Sequence, residues 1–479
     1  MNYSIILYIL GWILNFEAGF LVLPGIVAII YREKSGFAIL ATLLMCLFLG
    51  LLLTRKKPKS TVFYTKEGFI TVSLGWIVLS IFGAMPFIFS REIPSVTDAL
   101  FETISGFTTT GASILNEVES LSHCILFWRS FTHWIGGMGV LVFILAILPL
   151  CGGYNMNLMR AESPGPSVSK LVPRVRSTAM ILYGIYIVLT LTEIGFLLAG
   201  RMPLFDALTT AFGTAGTGGF GIKNDSMGSY SGYIQTVVTV FMILFGVNFS
   251  VYFLVLIRKP KQILQCEELR LYLLVIFAAI AVISVNVRGH FDSMGDAIHH
   301  SAFQVASIIT TTGFATVDFN VWPQVSRTIL IMLMFIGACA GSTGGGIKVS
   351  RILILLKTIK KELYTFLHPH SVKKIKMDGR TVEHEVVRSV NVFLVAYVII
   401  FAFSVLLVGF DNFDLTTNFT SVAATLNNIG PGLELVGPAR NFSIFSPFAK
   451  YVLMFDMLAG RLELFPMLLL FLPASWKKF

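Results

Sequence analysis

Long apolar runs recur along the whole chain, and they constrain its fold more than any other feature. A helix needs about 20 mostly apolar residues to cross the hydrocarbon core of a bilayer. Only 13% of the 479 residues are charged, and the mean hydropathy is +0.79. These features predict an all-α polytopic membrane protein whose N-terminus is a retained first helix and not a signal peptide. Runs of spanning length cover residues 37–54, 67–90, 178–199, 234–257, 271–287, 387–409 and 447–473.

Basic residues cluster in alternate loops between the apolar runs. Residues 55–59 read RKKPK and residues 258–261 read RKPK, and 151–176 carries four more basic residues. Residues 348–388 hold ten Lys and Arg against four acids. By the positive-inside rule these loops and both termini are cytoplasmic. Topology explains most of these charges, so the formal net charge of +10 indicates membrane lipid as the surroundings and not nucleic acid as a partner.

A short, polar, glycine-centred loop recurs roughly every hundred residues, which is the mark of an internal repeat. Each loop follows an Ala/Ser/Thr-rich stretch that suits a helix but is too short to span, and each lies between two full spans. The predicted fold is therefore four tandem span–half-helix–filter loop–span repeats around a central pore, preceded by two extra helices near 3–30 and 37–54. The loops read FETISGFTTTGASILN, TTAFGTAGTGGFGIKND, FQVASIITTTGFATVDF and TSVAATLNNIGPGLEL, centred on Gly111, Gly219, Gly313 and Gly430.

The repeat divides the chain into five predicted segments. They are an N-terminal helix pair at 1–60, repeat one at 61–176, repeat two at 177–265, repeat three at 266–385 and repeat four at 386–479.

Together the four loops can form one cation filter. Half-helices that re-enter from outside point their negative, C-terminal dipole ends at one centre. Glycine lets the backbone turn its carbonyls inward, and a ring of carbonyl oxygens can replace the hydration shell of a cation. Because the backbone supplies the ligands, different side chains beside the glycines are tolerated. The predicted potassium-binding residues are Thr110, Gly111, Gly218, Gly219, Thr312, Gly313, Ile429 and Gly430.

A second glycine-rich stretch, GACAGSTGGGIK at 337–348, follows the third filter loop. It is not a Walker A phosphate loop, because Ile347 separates Gly346 from Lys348. A helix from about Thr328 to Ile336 would be about 13 Å long, under half of the hydrocarbon core. Five glycines then follow in ten residues, so the helix should break near mid-membrane, just inside the filter.

We interpret this break as a gating loop, with close packing of helices through small residues as the alternative. The predicted gating residues are Gly341, Ser342, Thr343, Gly344, Gly345, Gly346, Lys348 and Arg461.

Arg461 lies deep in the last apolar run, where charges are costly and usually functional. It could project into the ion path or hydrogen-bond the freed carbonyls of 341–346. A structural salt bridge, with Glu463 or Asp456 as partner, is the other interpretation.

Other polar residues within the spans carry weaker signals. Arg129 and His133, four residues apart on one helix face, are expected to support the filter. Glu193 and Asn248 are further buried polar candidates. Four histidines lack Cys or acidic companions at ligand spacing, which argues against a resident metal site. They are His299, His300, His368 and His370.

Several motifs resemble one family. On the basis of these motifs, the chain resembles over nearly its whole length the Trk-type potassium transporter membrane subunit (TrkH-like) of the Trk/Ktr/HKT superfamily. The motifs are FWRSFTHWIGGMGVLVFILAILP (127–149), RAESPGP (160–166), GACAGSTGGGIKVSRILILLK (337–357), ATLNNIGPGL (424–433) and MLAGRLELFP (457–466).

The resemblance implies a homodimer in the bacterial inner membrane with one pore inside each protomer. It also implies a separate cytoplasmic ring of TrkA-like, NAD/ATP-binding regulatory subunits, which we expect to dock on loops 151–176 and 348–388. Potassium is then the substrate, and no organic cofactor is expected in this chain. Glycine at all four filter centres is the family pattern linked to K⁺, whereas a serine in place of Gly111 is linked to Na⁺ preference.

Two other function classes compete with a K⁺ pore. A secondary transporter, coupling potassium to H⁺ or Na⁺, usually shows two repeats and a site of ionisable groups, whereas this chain shows four. An intramembrane enzyme would need a Ser/His, paired Asp or His/Glu constellation inside the spans, and the sequence offers none. We therefore predict a non-enzymatic potassium pore, with cation-coupled symport as the alternative.

Overall fold

The computed structural model describes residues 2–58, 64–139, 175–371 and 373–477. An N-terminal pair is formed by α1 (Tyr3–Tyr31) and α2 (Gly36–Thr54), which pack against each other across a turn at 32–35. The RAESPGP motif (160–166) and most of the predicted loop 151–176 lie outside the described residues.

Four helical units follow the pair, and each contains a long helix, a half-helix and a second helix. Unit one has α3 (Thr65–Gly83), α4 (Met85–Ser90), half-helix α5 (Val96–Phe107) and α6 (His123–Gly137). Unit two has α7 (Val175–Ala199), half-helix α8 (Leu204–Ala215), α9 (Gly232–Phe245), α10 (Phe249–Leu256) and α11 (Pro260–Gln265).

Units three and four repeat the pattern. Unit three has α12 (Glu267–Asn286), half-helix α13 (Met294–Ile309), α14 (Gln324–Ile336), α15 (Val349–Leu367) and a hairpin of β1 (Lys376–Met377) and β2 (Arg380–Thr381). Unit four has α16 (His384–Val408), half-helix α17 (Leu415–Leu426), α18 (Pro447–Arg461), α19 (Phe465–Phe471) and α20 (Pro473–Trp476). Short 3₁₀ turns lie at Arg288–His290, Phe319–Val321, Gly409–Asp411, Glu434–Val436 and Phe442–Ile444.

The units close into a ring, because the second helix of each packs on the half-helix of the next. Thus α6 contacts α8, α9 contacts α13, α14 contacts α17, and α18 returns to α5. The four half-helices are therefore surrounded by protein on all sides. The N-terminal pair stands outside this ring, where α1 contacts α3 and α6.

Most of the predicted spans form single helices. Within the described ranges, six helices are long and apolar enough to cross a membrane, and a seventh candidate is a bent pair. Their outer faces expose apolar side chains such as Leu191, Phe277 and Leu406, as expected of surfaces that face lipid. The predicted all-α membrane fold is confirmed.

Two apolar runs that the sequence predicts to be continuous are broken. Between α9 and α10 the chain bends by 90°, and Asn248 caps the second piece by accepting the Ser250 amide at 2.9 Å. The last run breaks after α18, where Glu463 and Leu464 adopt positive φ. Hydropathy alone cannot report such breaks, because the residues on both sides remain apolar.

Three of the four half-helices begin with a side chain that caps the first turn, whereas α8 follows Pro203 and has no such cap. Ser95, Ser293 and Asp414 accept the amide of the residue three positions later, at 3.3, 3.0 and 2.9 Å. Burial raises the pKa of Asp414, but hydrogen bonds from Thr417 outweigh it and hold that pKa below its usual value. Three of the half-helices have 12 residues, or about 18 Å, too short to span.

Candidate ion pathway

The four half-helices all end in the same way. Two residues past each end, a non-glycine residue adopts a left-handed conformation: Thr109, Thr217, Thr311 and Asn428, with φ of 53–59°. The next amide then bonds back into the helix, as in other left-handed helix caps. The four equivalent bonds run from Thr110 N to Ser105 O (2.9 Å), Gly218 N to Gly213 O (2.8 Å), Thr312 N to Ser307 O (2.8 Å) and Ile429 N to Ala424 O (2.8 Å).

A glycine with positive φ follows each cap, and the four glycines lie in one closed ring. Their φ values are 79°, 75°, 86° and 100° at Gly111, Gly219, Gly313 and Gly430, a region that favours glycine. The loops also touch, so that a side chain would meet the next loop. A Cβ on Gly111 would overlap the carbonyl oxygen of Gly218, on Gly219 that of Thr312, and on Gly313 that of Ile429, while on Gly430 it would lie 2.8 Å from that of Thr110.

This geometry brings the eight residues singled out in the sequence together. Each glycine abuts the residue that precedes the glycine of the next loop, in the order one, two, three, four and back to one. A cavity of about 220 Å³ lies on the outer side of the ring and is lined by all four glycines.

A buried ion pair supports the first two loops from behind. Arg129 Nε lies 2.6 Å from Glu102 Oε1, with both side chains almost fully buried. Arg129 also donates to the carbonyl of Gly221 (2.8 Å), and Glu102 accepts the Ile114 amide (3.0 Å). The pair therefore ties α5 and α6 to the segments that leave the first and second filter glycines.

His133 performs a similar task nearer the ring. Its Nδ1 lies 2.7 Å from the carbonyl of Gly106, and its Nε2 accepts the amide of Phe220 at 3.2 Å. This pattern assigns the neutral ring with its proton on Nδ1. A Cβ on Gly218 would overlap the His133 ring, so the glycine in place of the threonine of other loops makes room for it.

Hydroxyl and amide side chains of the loops bond to protein. Thr108 and Thr110 hydroxyls pair at 2.8 Å, as do those of Thr310 and Thr312. Asn428 Nδ2 donates to the Thr110 hydroxyl at 3.0 Å and so joins the fourth loop to the first. These side chains therefore brace the loops against one another.

The break in unit three falls where the sequence places it. Helix α14 ends at Ile336, residues 337–348 are not helical, and α15 starts at Val349. The helix begins at Gln324, earlier than the expected Thr328. Its 13 residues still give only about 20 Å.

This intramembrane loop (337–348) is tightly bonded. Cys339 N donates to the carbonyl of Gly246 (3.0 Å), and Phe249 N donates to that of Gly341 (3.0 Å). These contacts join the loop to the break between α9 and α10. On its side that faces the glycine ring, the Gly345 amide donates to the Thr311 hydroxyl at 2.6 Å. The intramembrane loop therefore contacts the third glycine-centred loop directly.

The loop residues and Arg461 line a second cavity, of about 70 Å³, on the inner side. Lys348, buried and with φ of 82°, donates to the carbonyl of Gly344. The predicted gating residues therefore share one site, apart from Thr343, which does not line the cavity but bonds Arg461. Trp76 and Glu463 complete part of its wall.

Arg461 joins three units through carbonyls. Its guanidinium donates to the carbonyl of Thr343 at 2.9 Å and to those of Gly136 and Gly137 at 2.5 and 2.7 Å. Of the placements left open by the sequence, hydrogen bonding to the freed carbonyls is the one observed. The suggested acidic partners lie elsewhere, since Glu463 pairs with Arg351 and Asp456 accepts from Ser404.

The histidines have local roles. His299 bonds Gln235 at 2.8 Å and His300 bonds Thr316 at 2.9 Å. Within the part of the chain that the structure describes, no group of three His, Cys, Asp or Glu side chains could hold a metal ion.

Sequence reasoning missed two acids, Glu102 and Glu268. Glu102 lies in the polar stretch before the first glycine, where one acid among hydroxyl residues is a weak signal, and Glu268 opens an apolar run, where an acid is ordinary. Glu268 contacts the intramembrane loop from α12. The available signal is the pair Glu267–Glu268 directly before a span, which composition alone does not distinguish from a helix start.

The fold and the ring together define a four-unit membrane transport protein with re-entrant loops. A model of the family described as "TrkH: Cation transport protein" matches residues 35–478, and the chain belongs to this family. It is 40% identical over the full length of both chains to "Trk system potassium uptake protein TrkH" of Salmonella typhimurium and of Escherichia coli K12.

Similarity to a solved structure supports the same family. The chain matches the "Crystal Structure of the Potassium Transporter TrkH from Vibrio parahaemolyticus" with a TM-score of 0.88 and 36% identity, covering 100% of both chains. It is also 36% identical to TrkG of Escherichia coli, with 95% of this chain and 94% of that protein covered.

Proposed function

We propose that this protein takes up potassium through a channel-like pore whose selectivity filter is the ring of four loops. One observation carries the proposal: four glycines of positive φ close a ring in which each abuts a backbone carbonyl of the next loop. Carbonyl oxygens at such a ring replace the hydration shell of a cation. The relatives of similar length are named as potassium uptake proteins, which favours K⁺ as the cation.

The filter ligands are the carbonyls of the eight residues in the ring. The half-helices direct their negative ends towards that point, so a cation there is stabilised by dipoles as well as by carbonyls. The hydroxyls of Thr108 and Thr110 bond each other, as do those of Thr310 and Thr312, so these four side chains set loop shape and do not compete for the ion.

The intramembrane loop 337–348 and Arg461 form the gate in this proposal. The loop closes the inner side of the filter, where the Gly345 amide already bonds Thr311. Arg461 holds the loop by Thr343 and adds a positive charge beside the inner cavity. Opening then requires the loop to leave its bonds with the break in unit two.

A homodimer in the bacterial inner membrane, with both termini in the cytoplasm, completes the proposal. Its regulation comes from a separate NAD- or ATP-binding ring of TrkA-like subunits on loops 151–176 and 348–388. Support comes from the excess of Lys and Arg in 348–388 and from its hairpin, which follows α15 and precedes α16 along the chain.

Cation-coupled potassium symport is the second candidate, and one observation favours it. Glu193 is fully buried in α7, which packs on half-helix α8. Carboxylates inside membrane helices are typical of proton relays. A coupled mechanism would use such a group to link K⁺ entry to H⁺.

Purified protein in liposomes tests both candidates. With K⁺ inside and an impermeant cation outside, a pore gives K⁺ efflux that follows the electrochemical gradient of K⁺ alone. A symporter instead gives flux whose reversal potential moves with an imposed pH or Na⁺ gradient. Empty liposomes are the control, and absence of K⁺ flux from folded protein, with and without such gradients, would overturn the proposal.

A further inference from the structure

Glu268, in the first turn of α12, bonds both ends of the intramembrane loop. The side chain is 4% exposed. Its Oε1 accepts the amide of Ala340 at 2.6 Å and the amide of Ser350 at 3.2 Å. Its Oε2 lies 3.5 Å from Asn248 Nδ2, at the break in unit two. One carboxylate thus contacts the loop, the helix after it and the neighbouring unit.

Helix α15 needs such an acceptor. The first amides of a helix have no partner within it, and an N-cap side chain usually accepts one of them. Here the N-cap residue is Lys348, which makes no side-chain cap bond. Glu268 supplies the missing acceptor from another helix, and its negative charge suits the positive end of α15.

The contact with Ala340 fixes the other end of the loop. Cys339 and Gly341, on either side, bond backbone groups at the break between α9 and α10. Three consecutive loop residues are therefore attached to units two and three at once. Among these attachments Glu268 provides the only side chain that holds Ala340 and α15 together in the described residues.

We propose that Glu268 is a positioning residue of the gate, which holds the intramembrane loop in its closed arrangement and releases it on opening. This inference rests on the proposed gating function, since Glu268 would act through the intramembrane loop. Glu268 itself lines neither the ring of glycines nor either of the two cavities.

Alkylation of Cys339 tests the proposal without any transport measurement. The thiol is 1% exposed in the folded protein. Its reaction with N-ethylmaleimide, followed by mass spectrometry of its peptide, reports loop release when Glu268→Gln and Glu268→Ala are compared, because both variants remove the same charge from beside the thiol. Glu268→Gln keeps a neutral acceptor of the same shape and loses the charge. Hydrogen bonds to charged groups are stronger than neutral ones, so we expect alkylation about fivefold faster or more, and faster still in Glu268→Ala.

Glu67→Gln is the matched control. Glu67 is also a buried glutamate in the first turn of a membrane helix, and it accepts the Tyr64 amide at 3.2 Å, away from the loop. In the Glu67→Gln variant, Cys339 should be alkylated at the same rate as in the unchanged protein. In liposomes, Glu268→Gln should also raise basal K⁺ flux severalfold, whereas Glu67→Gln should not.

The outcomes separate this proposal from the one it rests on. If the unchanged protein conducts K⁺ but Glu268→Gln alkylates at the control rate, Glu268 does not position the loop. If Cys339 becomes reactive in Glu268→Gln while basal K⁺ flux stays the same, the loop is released without opening a pore, and the gating role fails with it. Should Glu268→Ala not fold, the isosteric Gln variant still decides the question.

Discussion

The filter loops and the helix breaks beneath them come from the same four units, yet they differ in regularity. All four loops have the same left-handed cap, the same backward bond and a glycine four residues past the half-helix. The breaks are unlike one another. In unit two α9 and α10 meet at 90°, unit three inserts 337–348, and unit four breaks after Arg461.

We call the four glycine-centred loops the regular layer and the helix breaks the asymmetric layer. The difference between them follows from which atoms each one uses. A ring of backbone carbonyls requires the same backbone conformation four times, so the glycine recurs in the sequence at the same place. The breaks are held by individual side chains, Glu268 and Arg461 among them, and each unit can contribute a different one. The four loops thus share one backbone conformation, whereas the breaks differ in the side chains that hold them. The same repeat therefore meets two separate constraints.

The largest expected effect is on the regular layer. Gly111→Ser and Gly313→Ser each place a Cβ against a neighbouring carbonyl at positive φ. We expect K⁺ over Na⁺ discrimination in liposome flux to fall about tenfold or more, because each 1.4 kcal/mol of differential binding is tenfold. Gly430→Ser, with 2.8 Å to the nearest atom, should lose less.

This series tests the ring directly. Unchanged discrimination in both Gly111→Ser and Gly313→Ser would remove the filter assignment. Equal losses in all three variants would show that the contact between neighbouring loops, tighter at three glycines than at Gly430, does not matter.

The regular layer was also the easier one to predict. Gly111, Gly219, Gly313 and Gly430 align in the sequence because an internal repeat reveals a backbone requirement. The long break in unit three was predicted from its glycines, whereas the bend at Asn248 was not, since one capping residue in an apolar run is a weak signal. Contacts between residues distant in the sequence, such as the Glu268 carboxylate with the Ala340 amide, leave no local pattern at all.

Breaking the pair behind the first loop should cost the most stability. Removing one partner of a buried ion pair leaves an uncompensated charge and costs about 3–5 kcal/mol. We expect Arg129→Leu to lower the free energy of unfolding by that amount, measured by denaturant titration of the solubilised protein. A loss below about 1 kcal/mol would mean that Glu102 finds another partner, and that the regular layer does not depend on this side chain.

Releasing the asymmetric layer should open the pore. Deletion of 341–346 and Arg461→Ala should each raise basal Rb⁺ uptake into proteoliposomes by about tenfold, normalised to folded protein by size-exclusion chromatography, since 1.4 kcal/mol less closure is tenfold. Arg461→Lys keeps the charge but loses the planar donor set that reaches three carbonyls. If Rb⁺ uptake rises equally in Arg461→Lys and Arg461→Ala, the hydrogen bonds of the guanidinium close the pore. If it rises only in Arg461→Ala, the positive charge closes it.

Lower Rb⁺ uptake per amount of folded protein in both the deletion and Arg461→Ala would contradict the gate. In that case the breaks would be structural and the comparison between the two layers would lose its functional meaning.

A smaller effect is expected in the basic loop that carries the hairpin. The hairpin is attached to the membrane helices, since Asp378 Oδ1 accepts the Glu267 amide at 2.8 Å and Lys357 donates to the Lys376 carbonyl at 2.7 Å. Deletion of 368–380 should weaken binding of the cognate TrkA-like subunit severalfold in co-purification. Replacement of the same residues by an equally long Gly/Ser segment controls for chain length, and unchanged affinity in both variants would exclude this loop from the docking surface.

The smallest effect should follow loss of the ion pair between Arg327 and Glu434, which joins units three and four at the outer face. The two side chains are 18% and 45% exposed, and pairs of this kind contribute about 0–1 kcal/mol. The backbone of Glu434 is held independently, because Asn320 accepts its amide at 2.9 Å and donates to its carbonyl at 3.0 Å. Arg327→Ala should therefore leave K⁺ selectivity unchanged and lower stability by at most about 1 kcal/mol, with the loss shrinking in 1 M salt. Asn320→Ala should cost more and should not respond to salt. A salt-insensitive loss in Arg327→Ala that exceeds the loss in Asn320→Ala would show that side chains, and not backbone contacts, hold the outer edge of the regular layer.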